Sequence, residues 1–504
     1  MGLLQIEGSV LLKGSIGLIL PYFVLHVFRV YYRLRHIPGP FWARFTNIQR
    51  VAWVSTSRAH EVHELLHDQY GDLVRLGPNM VSLRDPAWIP VVYPTRMGVP
   101  KSDFYRALAP YTKKGALPAV FSSRDEQVHK GLRAPIASLY SMSKLLPLEV
   151  FINKTIEAMT GQIDARFVDS QETFDLANWL QYFAFDVMGT LTFSKRYGFL
   201  EQGRDVNGML GTIWEFMKAA APFTQIPWLD QLWNKNSFVT MFQGATGFSI
   251  LGIVGKFVSQ RQEVQKSGWD AGERDMLASF MEIQAKNQLP PWFVTAWTFS
   301  NVIAGSDSTA VVMRTVWYNL LTHPETMQRL REELLQASKE NEFAKPYPAW
   351  KDVCDLPYLD ACILEGLRLH PPFCLPFERV VPRGGMVIGE NYFSEGTVIG
   401  MSPWVVNRHK PTFGEDADSW NPERWMVPKE LKNQREASLL TFGAGRRVCL
   451  GKNLALLELK KIVPALLLQY DFEIHDPKRL KVENYWFFRQ YGMDVTVKKR
   501  VMDQ

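Results

Sequence analysis

Cysteine is scarce in this 504-residue chain: Cys354, Cys362, Cys374 and Cys449 are all it has. So few, at such uneven spacing, exclude a disulfide framework. No Cys-x-x-Cys pair occurs, which excludes the usual zinc sites, and a reducing compartment is the simplest setting. Linkers are lacking too. Beyond the first forty residues no Pro/Gly/Ser-rich stretch, low-complexity tract or repeat interrupts the chain, so fewer domains are expected than the length alone allows. No Gly-x-Gly-x-x-Gly follows a strand, so there is no dinucleotide site of the chain's own. The charge, +6 over 57 basic and 51 acidic residues, is too weak to point to nucleic acid. Apolar residues, at 46%, are plentiful enough for a large core.

The longest apolar run is LLKGSIGLILPYFVLHVFRVYY, residues 11–32. It has about the length a spanning helix needs. Arg29, Arg33 and Arg35 follow at once, which predicts a body on the cytosolic side; Glu7 and the lack of a small-residue cleavage site argue against a signal peptide. Pro21 and His26 leave a second reading, an interfacial amphipathic helix. Pro38 and Pro40 in HIPGP end the helix and stiffen the hinge. The chain therefore divides into an anchor, residues 1–36, and a body, residues 37–504. Asn153-Lys154-Thr155 fits an N-glycosylation acceptor, but this orientation keeps it in the cytosol.

The body reads as mainly α with a small β subdomain. GDLVRLGPNMVSLRD (71–85) predicts two strands about a Gly77-Pro78-Asn79 turn, and residues 385–401 form a second strand-rich patch. Elsewhere the helical period dominates. A helix opening at Pro290-Pro291 runs to about Leu321, and Pro324 starts the next. Its length, far above the mean, should take it across the whole body. Midway it carries a polar patch, AGSDST (304–309), whose glycine costs about 1 kcal/mol against alanine.

Cys449 stands apart from the other cysteines. It lies in TFGAGRRVCLG (441–451), among glycines and beside Arg446 and Arg447, just ahead of a helical run. Glycines let a large flat ligand approach the backbone. A sulfur at a helix start feels the positive end, which favours thiolate. A nucleophile would want a nearby base, which the loop lacks; a thiolate ligand to iron fits better.

This loop resembles the haem-binding loop of the cytochrome P-450 family. The family's Phe, Gly, Arg, Cys and Gly are met at Phe442, Gly445, Arg447, Cys449 and Gly451. The resemblance implies a P-450 fold preceded by one N-terminal transmembrane helix, and haem b on an axial Cys449. It places Phe442 beside the sulfur and Arg447 on a haem propionate. LEGLRLHPP and DSWNPERW match stretches in which Glu365, Arg368 and Arg424 form a buried structural set. PFERV assigns Arg379 to a propionate. In VHKGLRAP the family usually shows Trp, then three residues, then Arg; here Arg133 keeps the propionate role. His129 either donates a hydrogen bond in place of the indole or faces solvent. The resemblance covers residues 37–504 and is nearest to fungal members of the pisatin demethylase kind.

AGSDST is similar to the family's Ala-Gly-x-Asp/Glu-Thr-Thr. The resemblance implies room for oxygen at Gly305, an acid at Asp307 and a proton-relaying alcohol next to it. That alcohol is Ser308, less rigid than the usual threonine, and Thr309 is the alternative donor. Aromatic and aliphatic stretches at 104–123, at Trp214 with 221–233, at 372–376 and at 486–492 match the family's pocket walls and suit a lipophilic substrate. Arg106, Lys113 and Lys114 are candidates to meet an acidic group. Electrons then come from an NADPH–cytochrome P-450 reductase, with cytochrome b5 as a second donor. Arg446, Lys452, Lys460, Lys461, Lys130 and Arg133 are candidates for its basic docking face. The expected activity is monooxygenation with O2 at the endoplasmic-reticulum membrane, in secondary metabolism. The alternatives are a reductase-independent isomerase or dehydratase, and a non-catalytic membrane haem carrier. In Ser308→Ala, product formation is expected to slow more than oxygen consumption; equal losses would remove Ser308 from proton delivery.

Overall fold

Caps and prolines in the sequence set the element boundaries. The computed structural model describes Leu25 and residues 28–112, 115–236, 249–266 and 275–500. Among the described residues no helix is long and apolar enough to cross a membrane. The span expected at 11–32 lies almost wholly outside them, as do Lys113 and Lys114.

The main helices are α1 (Ala59–Tyr70), α2 (Glu126–Arg133), α3 (Glu149–Ile163), α4 (Leu176–Phe193), α5 (Met209–Thr224), α6 (Trp292–Thr322), α7 (Pro324–Asn341), α8 (Pro357–Leu369) and α9 (Lys452–Gln469). Asp125 starts α2 by accepting the Gln127 and Val128 N–H groups, and Asp175 starts α4 by accepting that of Ala177. These side chains satisfy donors a helix end leaves orphaned. Proline opens α7 and α8, where its missing N–H costs nothing. The long helix is α6, 31 residues, or about 46 Å at the α-helical rise.

Strands β1 (Leu73–Gly77), β2 (Met80–Leu83), β3 (Arg379–Val380) and β4 (Val398–Met401) form one sheet in the order β1-β2-β4-β3. β2 and β4 run parallel and the other pairs antiparallel, so the two predicted strand patches meet in it. Near the C-terminus β5 (Lys481–Tyr485) and β6 (Phe487–Tyr491) form a tight hairpin.

α6 is the spine. It lies along α4 and touches α8 and α9, burying Trp297, Trp317 and Val302. Gly305 belongs to this packing. A Cβ there would stand 2.5 Å from Met188 Sδ and 2.8 Å from its Cε. Its missing side chain thus makes room for α4.

Glu365 organises the other side. Both carboxylate oxygens accept from Arg368, at 2.8 and 2.7 Å. Trp425 Nε1 (2.9 Å) and the Asn421 N–H (3.0 Å) add to them, and Arg424 completes the set at 3.4 Å. Arg368 spends its remaining donors on the carbonyls of Asn407, Ala417 and Ser419. Glu365 and Arg368 are wholly buried, so every lone pair and N–H needs such a partner. The sequon is structural too: Thr155 is buried in α3 and bonded to Thr190 Oγ1 at 2.9 Å. Glu365→Ala is expected to cost about 3–5 kcal/mol, because Arg368 is left buried and unpaired. Asp416→Ala, which breaks the half-exposed end of the same network at Arg424, should cost under about 1 kcal/mol. Denaturant unfolding of the two variants checks the contrast.

Candidate active site

The cysteine loop is pinned by its own backbone. Cys449 N–H donates to Phe442 O at 2.8 Å, Gly443 N–H to Leu440 O at 2.8 Å, and Arg446 N–H to Pro94 O at 3.1 Å. Gly445, at φ +60°, presses on this 93–94 segment; a Cβ would overlap the Tyr93 and Pro94 carbonyls, so no other residue fits. Cys449 is accessible, yet burial pushes its thiol up. The side chain is thus crowded by protein yet left uncovered on one side. The Gly451 and Lys452 N–H groups at the start of α9, with Arg133, favour its thiolate.

α6 borders open space as well. Ala304 is exposed midway along the helix although Val302, Ser306, Thr309 and Ala310 are buried. Ser308, one turn on from Ala304, is half-buried and donates from Oγ to Ala304 O at 2.6 Å. Thr309 faces the interior, 3% exposed. Asp307 Oδ1 accepts from Gln181 Nε2 of α4 at 2.6 Å, while Oδ2 is buried without a partner. Burial raises the Asp307 carboxyl to about 6, against the opposing pull of Arg314, Gln181 and Arg489. Arg314, buried, in turn holds Gln181 Oε1 and donates to Ala177 O at 2.9 Å.

Cations gather beyond the cysteine loop. Glu126, the first residue of α2, takes Arg446 at 3.0 Å and Arg447; Arg447 also donates to Ser123 O at 2.8 Å. Arg379, on β3, is 4% exposed and donates to Glu378 O (2.9 Å) and Tyr105 Oη (3.2 Å). Arg133, half-buried, completes the group. His129 is 1% exposed, which corrects its solvent-facing reading. Burial, then Arg447 and Arg133, lower its imidazole to about 3, so it is neutral, with Nδ1 unpartnered. The basic docking face also needs correction. Lys461 is buried and paired with Glu149 at 2.7 Å. Lys460 is buried against Asp360 at 3.0 Å. Lys130 and Lys452 stay exposed.

A cytochrome P450 family model matches residues 37–491. The chain belongs to the cytochrome P450 family. It is 73% identical over 486 residues to the cytochrome P450 monooxygenase pkfB of Emericella nidulans, covering 96% of this chain and 95% of the relative. To cytochrome P450 monooxygenase asR2 of Sarocladium schorii it is 62% identical, covering 95% of each. Cytochrome P450 monooxygenase mpaDE of Penicillium roqueforti is 55% identical over 95% of this chain but 57% of its own length. This P450 is therefore an oxygen-incorporating oxidoreductase.

P450s carry haem on a cysteine thiolate, and the residues of this chain fit such a group. The thiol is left uncovered at the start of α9, Ala304 is exposed midway along α6, and buried cations outnumber their carboxylates nearby. Residues of the expected walls meet one another. Phe104 and Phe373 lie 5.0 and 5.1 Å from Trp486, and Phe121 stacks on Phe373 at 6.1 Å. Trp214 on α5 reaches Tyr485 at 5.4 Å. The 221–233 stretch divides: Ala221 and Thr224 are buried, but Trp228, Leu232 and Trp233 are on the surface. Arg106 is exposed and paired with Asp103.

Sequence reasoning missed three features of this P450. Gln181 and Arg314 surround Asp307 from positions no motif marks. Lys101 joins the cations from a loop. Trp486, buried at the β5–β6 tip, is held at φ +92°, a conformation costing on the order of 1–3 kcal/mol for a non-glycine residue. In Gln181→Leu the Asp307 carboxylate loses a donor, so its titration should move above about 6. The check is the pH at which its protonated-carboxyl infrared band, assigned by loss in Asp307→Asn, disappears. An unmoved midpoint would separate Gln181 from Asp307.

Proposed function

We propose that this P450 is a membrane-anchored haem-thiolate monooxygenase that inserts one oxygen atom into a lipophilic compound of fungal secondary metabolism. The observation that carries the reading is Cys449, an uncovered sulfur at the start of α9 with helix N–H groups favouring its anion.

When bound, haem supplies the reductive activation of O2 that no protein side chain provides. Cys449 Sγ would hold its iron, and the loop's backbone bonds keep that sulfur in one place. Arg379, Arg447 and Arg133 would hold its carboxylates, with Glu126 orienting the Arg447 fork. His129, kept neutral, has Nδ1 free to bond the same edge.

On α6 Asp307 can take up and release a proton close to neutral pH, because burial has raised its carboxyl to about 6. Ser308 is the preferred alcohol: it borders the same space as Ala304, whereas Thr309 is buried. Its Oγ passes a proton on by turning from Ala304 O. Phe104, Phe121, Phe373 and Trp486 exclude water and take a lipophilic substrate. The anchor at 11–32 holds the body on the cytosolic face of the endoplasmic reticulum. There a reductase supplies electrons, with cytochrome b5 as second donor, and Lys130 and Lys452 offer it cations.

The reduced carbon-monoxide complex of the expressed protein is expected to absorb at the thiolate position, and Cys449→Ala to abolish that band. A wild-type band at the nitrogen-ligand position would overturn the assignment.

A further inference from the structure

Lys101 is a buried cation without a counter-charge. It is 5% exposed, and a bridge pairs its backbone with that of Arg379. Its Nζ donates to Phe121 O at 2.5 Å and stands 3.9 and 4.3 Å from the Tyr105 and Phe121 rings. Those contacts supply one carbonyl and two π-faces, and no full negative charge.

The carboxylates nearby are committed elsewhere. Glu126 takes Arg446 and Arg447. Glu378 takes Arg50 and the Ser102 hydroxyl. Asp103 takes Arg106 and Arg124. Among the described residues neither Lys101 nor Arg379 has an ion pair, and both are buried. An uncompensated buried charge costs several kcal/mol, so the site calls for anions from outside the chain.

Unfilled hydrogen-bonding groups lie in the same place. Arg447 donates to Ser123 O, two residues from the carbonyl that Lys101 holds. Ser123 Oγ and His129 Nδ1 are buried with no partner. Burial and the neighbouring Arg379 and Arg447 push the Lys101 ammonium well below its usual range, so a second anion beside Glu126 is what keeps it charged.

We infer that Lys101 is a carboxylate anchor for the porphyrin, pairing with one propionate while Arg379 takes the other, with Ser123 Oγ donating beside it. This rests on the haem-thiolate reading above. It has a structural consequence. Lys101 grips Phe121 O while facing Tyr105 and Phe121, so loading the porphyrin fixes one aromatic wall of the substrate space.

The test uses the holoenzyme as expressed. Lys101→Met removes charge and donor, Lys101→Gln keeps a donor for Phe121 O without the charge, and Lys101→Arg keeps the charge. The readouts are the rate of haem transfer to apomyoglobin and the propionate-bending band in resonance Raman. Met and Gln are expected to speed haem loss about tenfold or more and to shift the propionate band, and Arg to restore both. Gln matching wild type in both readouts would overturn the inference and leave Lys101 as a clamp on the Phe121 carbonyl. All variants should keep the thiolate carbon-monoxide band. If wild type itself lacks it, the haem-thiolate reading falls, and this one with it.

Discussion

The structure turns on a sulfur that must be both enclosed and ionised. Enclosure works against it: burial raises the Cys449 thiol, and a deprotonated sulfur in a dry site needs compensating dipoles. They come from the first N–H groups of α9, aligned because the chain turns into a helix three residues after the cysteine. The loop is glycine-rich because it has to turn against the 93–94 backbone, where a single methyl group would collide. Position and access of the sulfur thus follow from one helix start and one crowded turn, and the same helix start favours its anion.

Charge balance governs the surroundings. The Glu365 cluster, wholly buried at its centre, and the half-buried group around Glu126 are both dense in arginine, but they are satisfied differently. Glu365 has its lone pairs filled by Arg368, Arg424, Trp425 and Asn421, and Arg368 ends on three carbonyls; this set is complete and structural. Around Glu126 the cations exceed the anions, and Ser123 and His129 keep polar atoms unfilled. A complete network locks a fold, whereas an incomplete buried one is a binding site for whatever completes it.

α6 connects the two sides. Its packing on α4 needs Gly305 small, which brings Gln181 within bonding distance of Asp307. The same closeness that makes the helices a core therefore also tunes an acid. One turn of the helix serves packing on one face and open space on the other, and the polar patch that looked costly in sequence is divided between those faces.

Much of this was legible without coordinates. The cysteine loop, the start and stop of α6, the strand patches and the Glu365–Arg368 pair are relations between residues close in sequence, and local spacing carries them. The sequence by itself determined that a cysteine would open a helix, that a long helix would carry an acid beside an alcohol, and that proline and glycine would place the boundaries. Only the tertiary structure decided which charges are buried and which are matched: Lys460 and Lys461 turned inward, His129 kept neutral, Lys101 set beside Arg379, Gln181 brought to Asp307, Trp486 held in a strained turn. Burial and charge compensation depend on segments hundreds of residues apart meeting at a few ångströms, and no linear spacing records that meeting.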